Sequence, residues 1–290
     1  IGYVGTPTTV KILDVITKAK IPLIGPFTGA HQLRLPYRRY VFNVRNSYWA
    51  ETEALVEYAV ETLKKDKIAV FYQNDAYGLT GYKGTVRALA VKYNKSIVAE
   101  AVYTRGQFAS KQAIDTICQA KPEVVIMIGT YGACSDFIKR AKAKGLNAVF
   151  MNISFVGPSK LAGLLGPAGN GVIVSQVVPP LNEEGLPAVK EYKNLMKRYF
   201  PEKPLTFVGL EGFIDAKVIV EAIKRCGNLL TRENLVAALE NFNYDPGIKA
   251  PIDYSPQDRE GLDVVYLTLI KNGEFKLVKK VKKQINLYIY

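Results

Sequence analysis

The chain has 290 residues, with 39 Lys and Arg against 26 Asp and Glu, a net charge of +13. Hydrophobic residues make up 48% and charged residues 22%, an ordinary globular balance that argues against disordered, collagen-like and low-complexity readings. No apolar run has the length of a membrane span, and at roughly 100 to 200 residues per domain the length suggests two domains.

Short apolar runs at 1–4, 21–24, 40–44, 68–72, 96–102, 124–128, 148–151 and 171–174 predict buried strands. Stretches of helical period lie between most of them, at 10–18, 50–64, 80–92, 110–119, 135–144 and 159–165. In the second of these, Ala54, Leu55, Tyr58, Ala59 and Leu63 share one face, and Glu53, Glu57 and Glu61 the other. Alternating strand and helix predicts an α/β protein with parallel sheets and right-handed crossovers. After Val177-Val178-Pro179-Pro180 the rhythm becomes helical, at 186–199, 207–225 and 232–240. Thr231 suits the N-cap of the last helix, and Gly227 suits the stop of the long one. The chain closes with a strand at 262–270, the turn Lys271-Asn272-Gly273-Glu274 and a strand at 275–278. Asn-Gly there is a strong hairpin signal. No repeat of solenoid period is present.

Several chemistries drop out. Cys118, Cys134 and Cys226 make no disulfide framework and are expected to stay unpaired. His31 is the only histidine, and no CxxC or Cys/His cluster exists, so no metal site of the usual zinc type is expected. His31 has no GxSxG turn to serve, which leaves packing or the surface. Neither GxxxxGK[ST] nor a GxGxxG at the first helix occurs, so no nucleotide cofactor is expected. The lysines fall mainly on amphipathic helices and in the tail Lys279, Lys280, Lys282, Lys283. Without a nucleic-acid motif this charge reads as solvated surface, the tail being the one cluster that could bind something.

Ligands of open parallel sheets bind beyond the carboxyl ends of the strands. The first strand-to-helix turn is Val4-Gly5-Thr6-Pro7-Thr8-Thr9, with Thr6 placed to cap and Pro7 to open the helix. Free amides at such a start suit a carboxylate, although capping alone explains them. The second turn, Ile24-Gly25-Pro26-Phe27-Thr28-Gly29-Ala30, adds a hydroxyl, amides and an aromatic ring at the same sheet end. The turns Tyr72-Gln73-Asn74-Asp75-Ala76-Tyr77-Gly78, Gly129-Thr130-Tyr131-Gly132 and Asn152-Ile153-Ser154-Phe155 supply phenols, hydroxyls and small residues. Such a set binds small molecules and lacks the acid, base and nucleophile of a hydrolase. Asp75 reads as an Asx turn and Glu211 as an early helix acid; either could instead meet an ammonium group. Tyr48, before helix 50–64, could reach a cleft or simply pack.

These turns, with Tyr40-Val41-Phe42-Asn43-Val44-Arg45, Val156-Gly157 and Leu210-Glu211-Gly212, resemble the type I periplasmic binding proteins, to about Leu277. The similar branch is the leucine/isoleucine/valine-binding group of branched-chain amino-acid ABC transporters. The resemblance implies two Rossmann-like lobes joined by three hinge crossovers: 1–47 with 180–249, and 48–179 with 250–290. It implies that Thr6 and Phe27, Thr28 and Gly29 hold a ligand carboxylate, and that Tyr77 closes from the other lobe, with Thr130, Tyr131 and Ser154 beside it. Branched-chain binders carry a glutamate for the ammonium where this chain has Ser154, so Glu211 or Asp75 would have to replace it, or the ligand lacks an amine. Family members also carry two strand–helix units ahead of the position of Ile1, so an incomplete N-lobe with an exposed strand edge is expected.

The implied function is an extracytoplasmic solute-binding protein, not an enzyme, located in the periplasm or anchored outside the cell. Its ligand would be a small carboxylate, foremost an apolar or aromatic amino acid, and its partner a transporter permease rather than nucleic acid. The alternative is the ligand-binding domain of a receptor or histidine kinase.

Overall fold

The computed structural model describes residues 1–282; Lys283 and the rest of the expected C-lobe tail lie outside the described residues. α1 (Thr6–Lys18) leads to β1 (Leu23–Ile24), and β2 (Val41–Phe42) lies parallel beside it. α2 (Tyr48–Glu57) is capped by the Ser47 hydroxyl and runs on into a π-helical turn, Tyr58–Thr62. There follow β3 (Ile68–Gln73), α3 (Ala76–Tyr93), β4 (Ala99–Tyr103), α4 (Lys111–Gln119), β5 (Val124–Ile128), α5 (Tyr131–Ala143), β6 (Val149–Asn152), α6 (Pro158–Leu165) and β7 (Ile173–Gln176). The helical stretch holds α7 (Pro187–Tyr199), α8 (Phe207–Arg225) and α9 (Arg232–Glu240). The chain then forms β8 (Phe242–Tyr244), β9 (Ile252–Tyr254), β10 (Val264–Lys271) and β11 (Glu274–Lys282).

The main sheet has the order β11-β10-β7-β6-β5-β3-β4. Its β7-to-β4 part is parallel, and β10 and β11 are antiparallel additions. The strands sort their side chains by parity, as a sheet covered on both faces requires. Ile68, Val70, Val124 and Ile126 pack beneath α2 and α3, while Ala69, Phe71, Val125 and Met127 pack against α4, α5 and α6. A further core joins Ile24, Phe42 and Val44 to α7, α8, α9, β8 and β9.

Connections between the two sides run close together. Asn43 bridges Glu260 in parallel, the Leu262 amide donates to Val44 O at 2.9 Å, and Asn46 Nδ2 donates to Val264 O at 2.7 Å. Nearby, the sole tryptophan, Trp49, stacks on His31 with ring centroids 3.9 Å apart. Its Nε1 donates to Thr80 O at 3.1 Å, and the Arg87 guanidinium lies 5.3 Å over its ring. His31 is therefore a packing residue tying the 31–33 turn to α2 and α3, and burial together with the Arg34 charge lowers its pKa.

The expected strand at 1–4 is reduced to one bridge, Val4 to Phe27, although amides at Gly2 and Phe27 still reach across. Helices α1, α3 and α5 start four residues earlier than their apolar period predicts, because their first turns are polar or glycine-rich. Thr6 is the first helical residue behind the cap Gly5 rather than the cap itself. β8 and β9, three residues each, were not expected, and they pair across position 249/250, where the sequence reading placed a lobe boundary. The hairpin turn follows its signal: Asn272 and Gly273 both adopt positive φ, at 53° and 80°.

Candidate functional site

The ends of β1 and the starts of α1 and α2 converge. Thr6 Oγ1 and Thr28 Oγ1 lie 2.6 Å apart, and the Ala30 amide donates to Thr28 Oγ1 at 3.2 Å. The Tyr48 amide donates to Gly29 O at 2.7 Å. That approach demands a glycine, because a Cβ on residue 29 would fall 2.6 Å from Tyr48 N. Thr6, Thr28 and Tyr48 are all wholly buried. The Tyr48 hydroxyl has the Thr28 side chain and Gly29 backbone as polar neighbours, without a geometry that makes a hydrogen bond. Burial pushes this phenol up to about 12.

Next to this wall sits a buried charge cluster that the sequence reading did not single out. The Arg45 guanidinium lies 5.0 Å over Phe27 and 5.6 Å over Tyr48. Its Nη2 donates to Glu51 Oε1 at 3.1 Å and to Ser154 Oγ, and its Nη1 is 3.3 Å from Glu211 Oε1. Glu51, from α2, also accepts from Ser154 N at 2.8 Å, Ser154 Oγ at 3.1 Å and Ser175 Oγ at 2.6 Å. Burial opposes the Arg45 charge, but Glu211 and Glu51 more than offset it, and the guanidinium stays ionised. Burial pushes Glu211 up to about 7 against the pull of Arg45, and it raises Asp215 too, with the Glu211 charge adding to that shift. Asp215 packs against Gly25, where a Cβ would lie 2.6 Å from its carboxyl carbon. Glu211 lies beyond the first turn of α8 and faces Arg45, which replaces the reading of an early helix acid.

The facing wall comes from the main sheet. Tyr77, in the first turn of α3, is buried and donates to Gly129 O at 3.2 Å. Its ring stands 5.3 Å from Tyr48 and 4.7 Å from Phe155, and Phe155 is 5.3 Å from Phe27, so the Phe155–Phe27 contact crosses from the main-sheet wall to the other. Asp75 accepts from the Tyr77 and Gly78 amides; it is a helix cap and not a cleft acid. A cavity of about 350 Å³ opens between the walls, with Thr6 and Pro7 on one side and Gln73, Tyr77, Thr130 and Phe155 on the other. Arg105, Phe108 and the half-exposed Tyr131 stand around it.

The structure brings all ten expected positions into one region. Thr6, Phe27, Thr28, Gly29, Tyr48, Ser154 and Glu211 lie at the buried end, while Thr6, Tyr77, Thr130 and Tyr131 line the cavity. Arg45, Glu51, Ser175, Arg105 and Phe108 were missed. Glu51 did carry a signal, since it sits three and four residues before Ala54 and Leu55, on the apolar face of its helix.

A family model described as periplasmic binding protein matches residues 1–274. The chain belongs to the type I periplasmic binding protein family. It is 34% identical to a possible leucine/isoleucine/valine-binding protein from Rhodopirellula baltica, with TM-score 0.90 over 96% of this chain and 76% of that one. A branched-chain amino-acid ABC transporter protein from Thermus thermophilus, solved with valine bound, shares the fold at TM-score 0.86 and 23% identity, over 97% and 77% of the two chains. Among curated relatives, the leucine-specific-binding protein of Salmonella typhimurium is 25% identical over 60% of this chain. That match spans 47% of the relative, about half its length. Periplasmic binding proteins are extracytoplasmic, non-enzymatic ligand binders. Among the described residues of this member, no helix is long and apolar enough to cross a membrane.

Proposed function

We propose that the chain is the solute-binding component of an ABC transporter and captures a small carboxylate-bearing ligand between two lobes. The observation that carries this is the cavity bounded by the Thr6 helix start on one wall and by Tyr77 and Phe155 on the other. The carboxylate docks against the Thr6 and Thr28 hydroxyls at the α1 start, where the helix dipole favours negative charge. Closure then brings Tyr77, Thr130, Tyr131 and Ser154 over it, and requires ligand contacts that differ between open and closed states. In this reading one lobe comprises 1–47 and the helical stretch from 180, and the other 48–179 with the β10–β11 hairpin. The third crossing lies near 259–262, beyond the β8–β9 pair. The closed form is what a membrane permease recognises.

Calorimetry with a panel of amino acids and other small carboxylates tests the assignment. Thr6→Ala and Tyr77→Ala should each weaken binding by about 1–3 kcal/mol, the range for a hydrogen bond to a charged group or a lost buried contact. Unchanged affinity in both variants would refute it.

A further inference from the structure

Resting on that reading, we infer that the ligand is a carboxylate without an α-ammonium group, because Arg45 already occupies the place where this site could bind a cation. The carboxylate of Glu51 takes hydrogen bonds from Arg45 Nη2, Ser154 N, Ser154 Oγ and Ser175 Oγ, two on each oxygen. Two carboxylate oxygens offer about four lone-pair sites, so the chain's own donors fill Glu51. Glu211 shares the same guanidinium through Nη1. At this end of the site the rings of Phe27 and Tyr48 are also taken by Arg45.

What remains open is a set of donors. Arg45 Nε has no hydrogen-bond acceptor although the side chain is buried. The Thr6 and Thr28 hydroxyls and the Tyr48 phenol lie at the same end. Such a set serves an anionic head, whereas a second ammonium would have to share Glu51 and Glu211 with Arg45, and burying an imperfectly paired charge is costly. The cavity beyond is walled by Tyr77, Phe108, Tyr131 and Phe155, which suits an aromatic or branched apolar body.

Matched pairs that differ only in the amine decide the matter: L-phenylalanine against hydrocinnamate, and L-leucine against isocaproate, by calorimetry on the full chain. At least one amine-free acid should bind about tenfold or more tightly than its amino acid. If in both pairs the amino acid binds as tightly as its partner, or more so, the inference is overturned and the solute-binding reading stands. No binding by any of these or by the wider carboxylate panel overturns both. Arg45→Met, if it folds, vacates the cation place and should move the ratio roughly tenfold toward the amino acid. An unmoved ratio removes Arg45 from the argument. If that variant does not fold, the matched pairs on the wild-type chain still decide.

Discussion

Glu51→Ala tests the energetics of the buried charge cluster most directly. The substitution removes an acceptor that holds Arg45, both donors of Ser154 and the Ser175 hydroxyl. It leaves a wholly buried guanidinium with Glu211, whose own charge is suppressed by burial. Breaking a buried ion pair from one side costs about 3–5 kcal/mol, because the remaining charge stays out of water. Against a total stability of about 5–15 kcal/mol this is a large share. With an m-value of about 3 kcal/mol/M, the urea midpoint should fall by roughly 1–2 M. The double variant Arg45→Met, Glu51→Leu removes both charges and should be less destabilised than the sum of its single variants. A loss below about 1 kcal/mol for Glu51→Ala, or strict additivity in the cycle, would mean that the cluster does not hold these elements together.

Three further outcomes follow from the same structure. Glu211 is raised from the ordinary 4.5 to about 7 by burial, so between those values the folded state holds the proton more firmly than the unfolded one. Its stabilising contribution is complete below the lower value and lost as pH rises through the upper, with a slope of at most ~1.4 kcal/mol per pH unit. Glu211→Gln should flatten that window in urea titrations at stepped pH, and parallel curves would contradict it. Asp75→Ala removes the α3 cap and should cost about 0.5–2 kcal/mol in a denaturant melt. Gly78→Ala would place a Cβ 1.9 Å from Gln73 O, and the forced shift between β3 and α3 should cost about 1–3 kcal/mol, visible as a lower thermal midpoint.

Much of the architecture is legible from residue order. Runs such as Val124–Ile128 are apolar throughout because both faces of the strand are covered. Helix periods mark α4 and α9 nearly to the residue, since Ser110 and Thr231 are capping side chains. The short pair β8 and β9 stayed hidden because Phe242-Asn243-Tyr244 and Ile252-Asp253-Tyr254 hold too few residues for a period to show. In the candidate site, turn chemistry pointed to Thr6, Thr28 and Tyr77, because strand-end turns gather at one edge of a parallel sheet. Arg45 and Glu51 are a different case. Their meaning depends on a contact with Ser154 and Ser175, more than a hundred residues away in sequence, and no local pattern encodes that contact. Only the misplaced charge of Glu51 on an apolar helix face hinted at it.

Trp49, the one indole in the chain, is wedged between an imidazole from the 31–33 turn and a guanidinium from α3. Its fluorescence therefore reports a single joint, where the turn meets the α2–α3 pair. Any parting of that joint would strip the imidazole from the emitter and wet it, so the closure proposed above would be timed optically, without a label, in a stopped-flow cell.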